Sequence, residues 1–354
     1  MSKENLNVVP EMPSIPMGQL AEFVTFVTGT LEEPVMIWGP FGVGKTRIIE
    51  QAAEKAGAFL VPILLSQYES VDIRGLPAPD LENDSTRWLK ASTFPFKGNK
   101  GFPTDRPIWM FLDELTSATS PVMAVGYQLI NDGRVGEFEL MDNVRIICAG
   151  NREQDKGIVN RMPMPLNNRM IHCESVVDVD AFTTWGTEAG LPAVGMAFIQ
   201  WRKPLLHNYD PKKSGKIVAT PRTWEKAFRA YAQEGASEDH KMWAMAGSVG
   251  SGPTSEFMGF VQIWHKVRGM VKKILSDPAK APLLEEQSEQ YAVAVCLSGE
   301  MNEKNAGDVY TYLCRMEPMF TVLAMTLACG RDNTLFETPA FADYSIKFKQ
   351  VYQR

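Results

Sequence analysis

The chain has 354 residues, 45% of them hydrophobic and 22% charged, with a formal net charge of −6. That is the composition of a globular protein with room for more than one core, and its acidic balance argues against a surface that binds nucleic acid or membrane non-specifically, while leaving room for a local basic groove. Five cysteines (Cys148, Cys173, Cys296, Cys314, Cys329) form no C-x-x-C pair, and four histidines show no ligand spacing, which speaks against a disulfide framework and a zinc site.

Residues 1–17 are polar with several prolines and are expected to form a loose arm without the apolar core of a signal peptide. A short amphipathic helix follows, with Leu20, Phe23, Val24 and Val27 on one face, and is expected to stop at Gly29. VMIW (35–38) reads as a buried strand. TRIIEQAAEKAG (46–57) reads as a helix closed by Gly57, with Ile48, Ile49, Ala52, Ala53 and Ala56 on one face. AFLVPILL (58–65), IWMFL (108–112), VRIICA (144–149) and MIHCESVV (170–177) supply four further strands, so a doubly wound, mostly parallel five-stranded α/β sheet is expected.

Two connections exceed a plain crossover. Residues 66–107 carry an insert that includes the strand-like RWLKAS (87–92). Residues 120–131 look helical, and NDG (131–133) leads into RVGEFEL (134–140), a hairpin signal. Beyond about 178, Trp, Phe, Met and Ala recur at helical spacing; SDPAKAP (276–282) is a candidate linker and 286–354 a helical tail. The longest apolar run, TVLAMTLAC, is about half of the ~20 residues that a spanning helix needs, so a cytoplasmic protein without membrane contact is expected.

GPFGVGKT (39–46) fits G-x-x-x-x-G-K-[ST] between a strand and a helix. The backbone N–H groups of Gly39, Pro40, Phe41, Gly42, Val43 and Gly44 would cradle phosphates as far as each has one, with the helix N-terminus adding its partial positive charge. Lys45 would reach the β- and γ-phosphates of ATP, and the Thr46 hydroxyl would ligate Mg²⁺. The strand IWMFL ends in Asp113 and Glu114; the first would hold the metal shell and the second would orient or deprotonate an attacking water. Asn151, after VRIICAG, projects at the same sheet edge, where a neutral amide can contact the γ-phosphate or the water.

With these stand LSQYESVDIRGLP, CAGNREQDKGIVNRMPMPLNNRMIH and ATPRTWEKA, and together the segments resemble the MoxR branch of AAA+ ATPases, within the dynein-related AAA subfamily. The resemblance runs from about residue 18 to the C-terminus. It implies an ATPase core over 18–178, a helical lid over 179–280 and a small helical extension over 281–354. It matches Asn151 to sensor 1, Arg222 to sensor 2 and Arg169 to an arginine finger acting in trans, with Arg161 as the next candidate. It further implies a six-membered ring and often a separate partner with a von Willebrand factor A-type domain.

Two departures stand out: Pro-Phe replaces the usual Pro-Pro of the loop, where only backbone is expected to matter, and Met170 follows Arg169 where relatives carry Phe. The phenylalanines of TFPFKGNKGFP (93–103) either face a ring's pore or pack the insert against its own sheet, the second being preferred. The favoured activity is ATP-driven remodelling of a partner protein complex. A nucleic-acid motor, against which the acidic charge counts, and a slow nucleotide-dependent scaffold are the competing readings.

Overall fold

The computed structural model describes residues 12–152, 155, 160, 162–210 and 215–349. In chain order its elements are β1 (Ser14–Pro16), α1 (Met17–Phe26), β2 (Val35–Trp38), α2 (Lys45–Lys55), β3 (Phe59–Leu64), α3 (Ser70–Arg74), β4 (Leu76–Asp80), β5 (Ser85–Leu89), β6 (Ile108–Asp113), α4 (Ser120–Asp132), β7 (Arg134–Val135), β8 (Phe138–Glu139), β9 (Val144–Gly150), α5 (Met164–Asn167) and β10 (Ile171–Val176). Helices follow: α6 (Val179–Glu188), α7 (Ala193–Trp201), α8 (Pro221–Tyr231), α9 (Glu238–Val249), α10 (Ser251–Ser276), α11 (Gln287–Glu300), α12 (Ala306–Leu313), α13 (Pro318–Arg331) and α14 (Pro339–Lys347). The chain divides into two compact units, the first being Met1–Phe182 with His207–Lys216 and Thr220–Thr223, the second Thr183–Leu206, Ile217–Ala219 and Trp224–Arg354.

The first unit is built on a parallel sheet in the order β1-β10-β2-β9-β6-β3. Side-chain alternation explains why both faces are covered. Val35 and Ile37 of β2, Trp109 and Phe111 of β6 and Ile147 and Ala149 of β9 pack with Leu20 and Val24 of α1 and Ile49 of α2. Met36, Met110, Leu112, Ile146 and Cys148 point the other way, into a cluster with Val122, Val125 and Leu129 of α4. Because every strand runs the same way, the carboxyl ends of β2, β6 and β9 lie along one edge.

The sheet has six strands rather than five. The extra one is Ser14–Pro16, in the segment read as a loose arm, and it pairs in parallel with Ser14 opposite Glu174 and Pro16 opposite Val176. Three residues with a proline show no alternation to read; the pairing comes from the open edge of β10, where proline is tolerated. The first helix also passes its expected stop, continuing through a wide turn over Val27–Leu31 and ending at Glu32 in the left-handed region (φ 59°). In the hairpin, Gly133 of NDG ends α4, and the turn is made instead at Gly136–Glu137 between β7 and β8.

The insert after β3 holds the short helix α3 and the antiparallel ribbon β4–β5, whose second strand takes in the first half of the strand-like RWLKAS, Arg87–Leu89. Phe94 and Phe96 are fully buried in the α4-side cluster and Phe102 packs against it, its ring edge-on to Phe59. These phenylalanines are core, not pore lining.

The second unit is all helical. Trp224 and Phe228 of α8, Phe198 of α7 and Phe257 and Phe260 of α10 form an aromatic cluster. Along α10, Phe257, Phe260, Val261, Trp264, Val267, Val271 and Ile274 are buried at helical spacing. The candidate linker SDPAKAP does not separate two bodies: the Tyr312 hydroxyl donates to the Pro282 carbonyl at 2.9 Å and Arg315 to that of Pro278 at 2.6 Å. Residues on both sides of it belong to one compact unit, because α11 packs on α10. Of the cysteines, Cys148, Cys173 and Cys329 are buried and Cys296 and Cys314 half-buried, all with free thiols. No described helix is long and apolar enough to cross a membrane.

Gly75, in the DIRGLP element, has φ +88°, and a Cβ there would lie 2.0 Å from the Leu89 carbonyl oxygen across the ribbon. Gly75→Ala should therefore open the β4–β5 ribbon at a cost of about 1–3 kcal/mol. Amide hydrogen exchange over 76–89 should speed up by roughly ten- to a hundredfold, with exchange in β6 and β9 unchanged.

Candidate functional site

The loop between β2 and α2 wraps the amino end of α2. Gly42 takes a positive φ of +74°, and a Cβ there would meet the Thr220 side chain at 2.7 Å, so the loop backbone needs glycine twice over. Lys45 turns back into this loop. Its ammonium, on a residue only 8% exposed, donates to the carbonyls of Gly39 (2.9 Å) and Pro40 (3.0 Å) and to Asn151 Oδ1 (3.3 Å). Burial lowers its pKa to about 8, with the negative charges of Asp113 and Asp155 pulling the other way.

Thr46, the next residue, donates its hydroxyl to Asp113 Oδ2 at 2.7 Å, while Asp113 Oδ1 accepts the backbone N–H of Glu114 at 2.9 Å. The Thr46 hydroxyl and the Asp113 carboxylate thus converge as two hard oxygen donors, the set that suits Mg²⁺. Glu114 sits in the left-handed region (φ 54°), sparsely populated for a non-glycine residue, and its Oε2 accepts the Ser66 hydroxyl at 2.6 Å. Lys45, Thr46, Asp113 and Asn151, and through Asp113 also Glu114, therefore meet at the carboxyl edge of β2, β6 and β9.

The other two sequence-derived residues stand differently. The Arg222 backbone N–H donates to the Gly42 carbonyl at 3.1 Å, which ties the start of α8 to the loop, and its side chain is exposed. Arg169 lies just after α5 at the start of β10. It is exposed, and among the described residues its side chain forms no ion pair. Arg161 lies outside the described residues. Arg152, also close to Arg169 in sequence, is held in place: Asp155 accepts from its Nε (3.1 Å) and Nη2 (2.9 Å), and Glu174 from its Nη1 (2.8 Å).

Several partners escaped sequence reading. Phe41 is more than a backbone position: its ring packs edge-on against Tyr209 at 4.9 Å, and its carbonyl accepts from His207 Nε2 at 3.2 Å. Burial holds the His207 pKa below its usual value. Tyr209 in turn donates to the Asp155 carbonyl at 2.8 Å. His207 and Tyr209 lie far along the chain in a segment with no recognised pattern, so no local signal marks them. Ser66 could have been noticed as the polar residue directly after an apolar strand.

Residues 34–170 match the family described as AAA domain (dynein-related subfamily). A search of the curated proteins finds no match. Among solved structures, the chain is similar to the RuvB Holliday junction branch migration motor of Thermotoga maritima, at 14% identity over 84% of this chain and 85% of that one, with a TM-score of 0.37. It is also similar to NtrX from Brucella abortus in complex with ADP, at 13% identity over 94% and 67%, with a TM-score of 0.39. At such scores neither likeness bears on what this chain does. With the strand-loop-helix cradle and the parallel sheet described above, the family match identifies residues 34–170 as an AAA domain of the dynein-related subfamily, a nucleotide-binding P-loop fold.

Proposed function

We propose that the protein hydrolyses ATP as one subunit of a ring and uses that cycle to remodel a partner protein complex, in the manner of MoxR-type ATPases. The observation that carries the ATPase part is the convergence of the Lys45 ammonium, the Thr46–Asp113 pair and Asn151 at one sheet edge, within 2.7–3.3 Å contacts. In this reading the loop N–H groups and Lys45 hold the β- and γ-phosphates. Thr46 and Asp113 would hold Mg²⁺, which when bound neutralises charge on the phosphate oxygens. Glu114 accepts the proton of the attacking water, Asn151 orients that water against the γ-phosphate, and Arg222 at the start of α8 contacts the nucleotide.

Exposure of Arg169, with no ion pair among the described residues, supports its use by a neighbouring copy. In this reading Arg169 of an adjacent copy supplies the cation opposite the charge that develops on the transferring phosphoryl group, which a ring of copies allows at every site. Six copies, and a separate partner with a von Willebrand factor A-type domain, extend this reading through the family resemblance.

Glu114→Gln should bind ATP and turn over about 10²–10⁴-fold more slowly, measured as phosphate release beside nucleotide affinity; turnover at the wild-type rate would remove Glu114 from the mechanism. Arg169→Ala should bind ATP with a rate lowered by roughly 10³–10⁵, and mixing it with Lys45→Ala subunits should restore activity, since each supplies what the other lacks. ATPase activity stimulated by DNA and by no protein would replace the remodelling reading with a nucleic-acid motor.

Lys45 yields a pH prediction. Its folded pKa lies below the ordinary lysine value, so between about pH 8 and 10.5 the free site binds fewer protons than an exposed lysine would, and bound phosphates restore the proton. Nucleotide binding near pH 8.5 should therefore take up a proton, and affinity should weaken as pH rises further. Calorimetry in buffers of different ionisation enthalpy reads the uptake, and Lys45→Met should abolish it.

A further inference from the structure

Beyond their backbone ladder, β2 and β10 are joined by a side-chain relay that ends beside Arg169. Trp38, the residue before Gly39, donates its indole N–H to His172 Nδ1 at 2.9 Å, and the two rings stack at 6.2 Å between centroids. His172 Nε2 lies 2.7 Å from the carbonyl oxygen of Asn167, the last residue of α5 and two positions before Arg169. An indole N–H can only donate and a carbonyl can only accept, so Nδ1 is unprotonated and Nε2 carries the hydrogen. A single neutral tautomer serves both partners.

The same strand holds the base of the loop from the other side, since the Ser175 hydroxyl donates to the Trp38 carbonyl at 3.0 Å. The Asn167 side-chain oxygen is buried and has no hydrogen-bond partner among the described residues, while its carbonyl is linked through His172 of β10 to Trp38 of β2. Lys45 meanwhile grips the carbonyls of Gly39 and Pro40. When its ammonium turns to phosphate, those carbonyls lose their donor, and Trp38 is one peptide bond away.

We propose that Trp38 and His172 are positioning residues that hold the Arg169 turn against the phosphate-loop strand, so that the nucleotide held by one subunit sets the placement of the arginine it offers to the next. The inference rests on the in-trans role given to Arg169 above. Neither side chain touches nucleotide; each acts through the backbone of 167–169.

The test uses the full chain with His172→Phe, Trp38→Phe and His172→Gln. The first keeps a ring and loses both bonds. The second keeps a ring and loses the indole donor. The third retains an amide that can donate to the Asn167 carbonyl. His172→Phe and Trp38→Phe should lower kcat about tenfold, as loss of one or two hydrogen bonds at a positioned group does, with nucleotide Kd within about twofold of wild type. His172→Gln should lie between. In the Arg169→Ala background, His172→Phe should add no further loss, and His172→Phe subunits should rescue Lys45→Ala subunits less well than wild-type subunits do. Wild-type kcat in the two Phe variants while Arg169→Ala is impaired would overturn the proposal, as would losses that simply multiply. Normal turnover by Arg169→Ala would instead remove the in-trans reading itself, a separate outcome. Should His172→Phe fail to fold, Trp38→Phe breaks the same bond from the other ring and carries the comparison.

Discussion

A buried ammonium organises the first unit. A charge out of water must be met by oriented dipoles or counter-charge, and Lys45 is met by the carbonyls of Gly39 and Pro40 and by the Asn151 amide oxygen. That arrangement joins the end of β2 to the end of β9. The adjacent Thr46 joins both to the end of β6 through Asp113. Two consecutive residues thus span three neighbouring strand ends, which is achievable only because the sheet is parallel and its carboxyl ends share an edge. The lowered pKa of Lys45 is the cost of keeping the group dry. Its three acceptors are atoms that a phosphate can displace.

Around this centre lie supporting contacts, some aromatic and some between charged groups. Phe41 is held by His207 and Tyr209, and Tyr209 reaches the backbone of Asp155, whose carboxylate holds Arg152. Glu174 closes the set from β10. Arg152 could be mistaken for a mobile cation by its sequence neighbourhood, but charge-assisted bonds to Asp155 and Glu174 fix it in place. Arg169 has the opposite environment: it is exposed, and among the described residues its side chain forms no ion pair. Two arginines of one segment thus differ in environment, one fixed by carboxylates and the other exposed.

The insert divides in the same way. Its phenylalanines are spent on the core beneath α4, whereas the ribbon β4–β5 leaves Leu76, Leu81, Trp88 and Leu89 exposed. Gly75 permits the tight approach of the two strands, which gives the DIRGLP element a structural role.

Reading the chain in one dimension was enough for the cradle, the acidic pair and the five long strands, because each is a contiguous pattern: glycines at fixed spacing, an apolar run ending in carboxylates, alternation with period two. The placement of Asp113, Glu114 and Asn151 at one sheet edge was legible too, because parallel strands put their carboxyl ends together. What only the tertiary structure decided has no local pattern. The sixth strand is three residues recruited by an open edge. Phe41 gains its role from residues that follow far behind it in the chain, and His172 connects Trp38 to the Arg169 turn by a tautomer that neither partner's sequence neighbours specify. The supposed linker at 276–282 has linker composition yet is pinned by Tyr312 and Arg315. Composition reports what a segment prefers when left alone, and distant side chains overrule that preference whenever burial supplies a better partner than water.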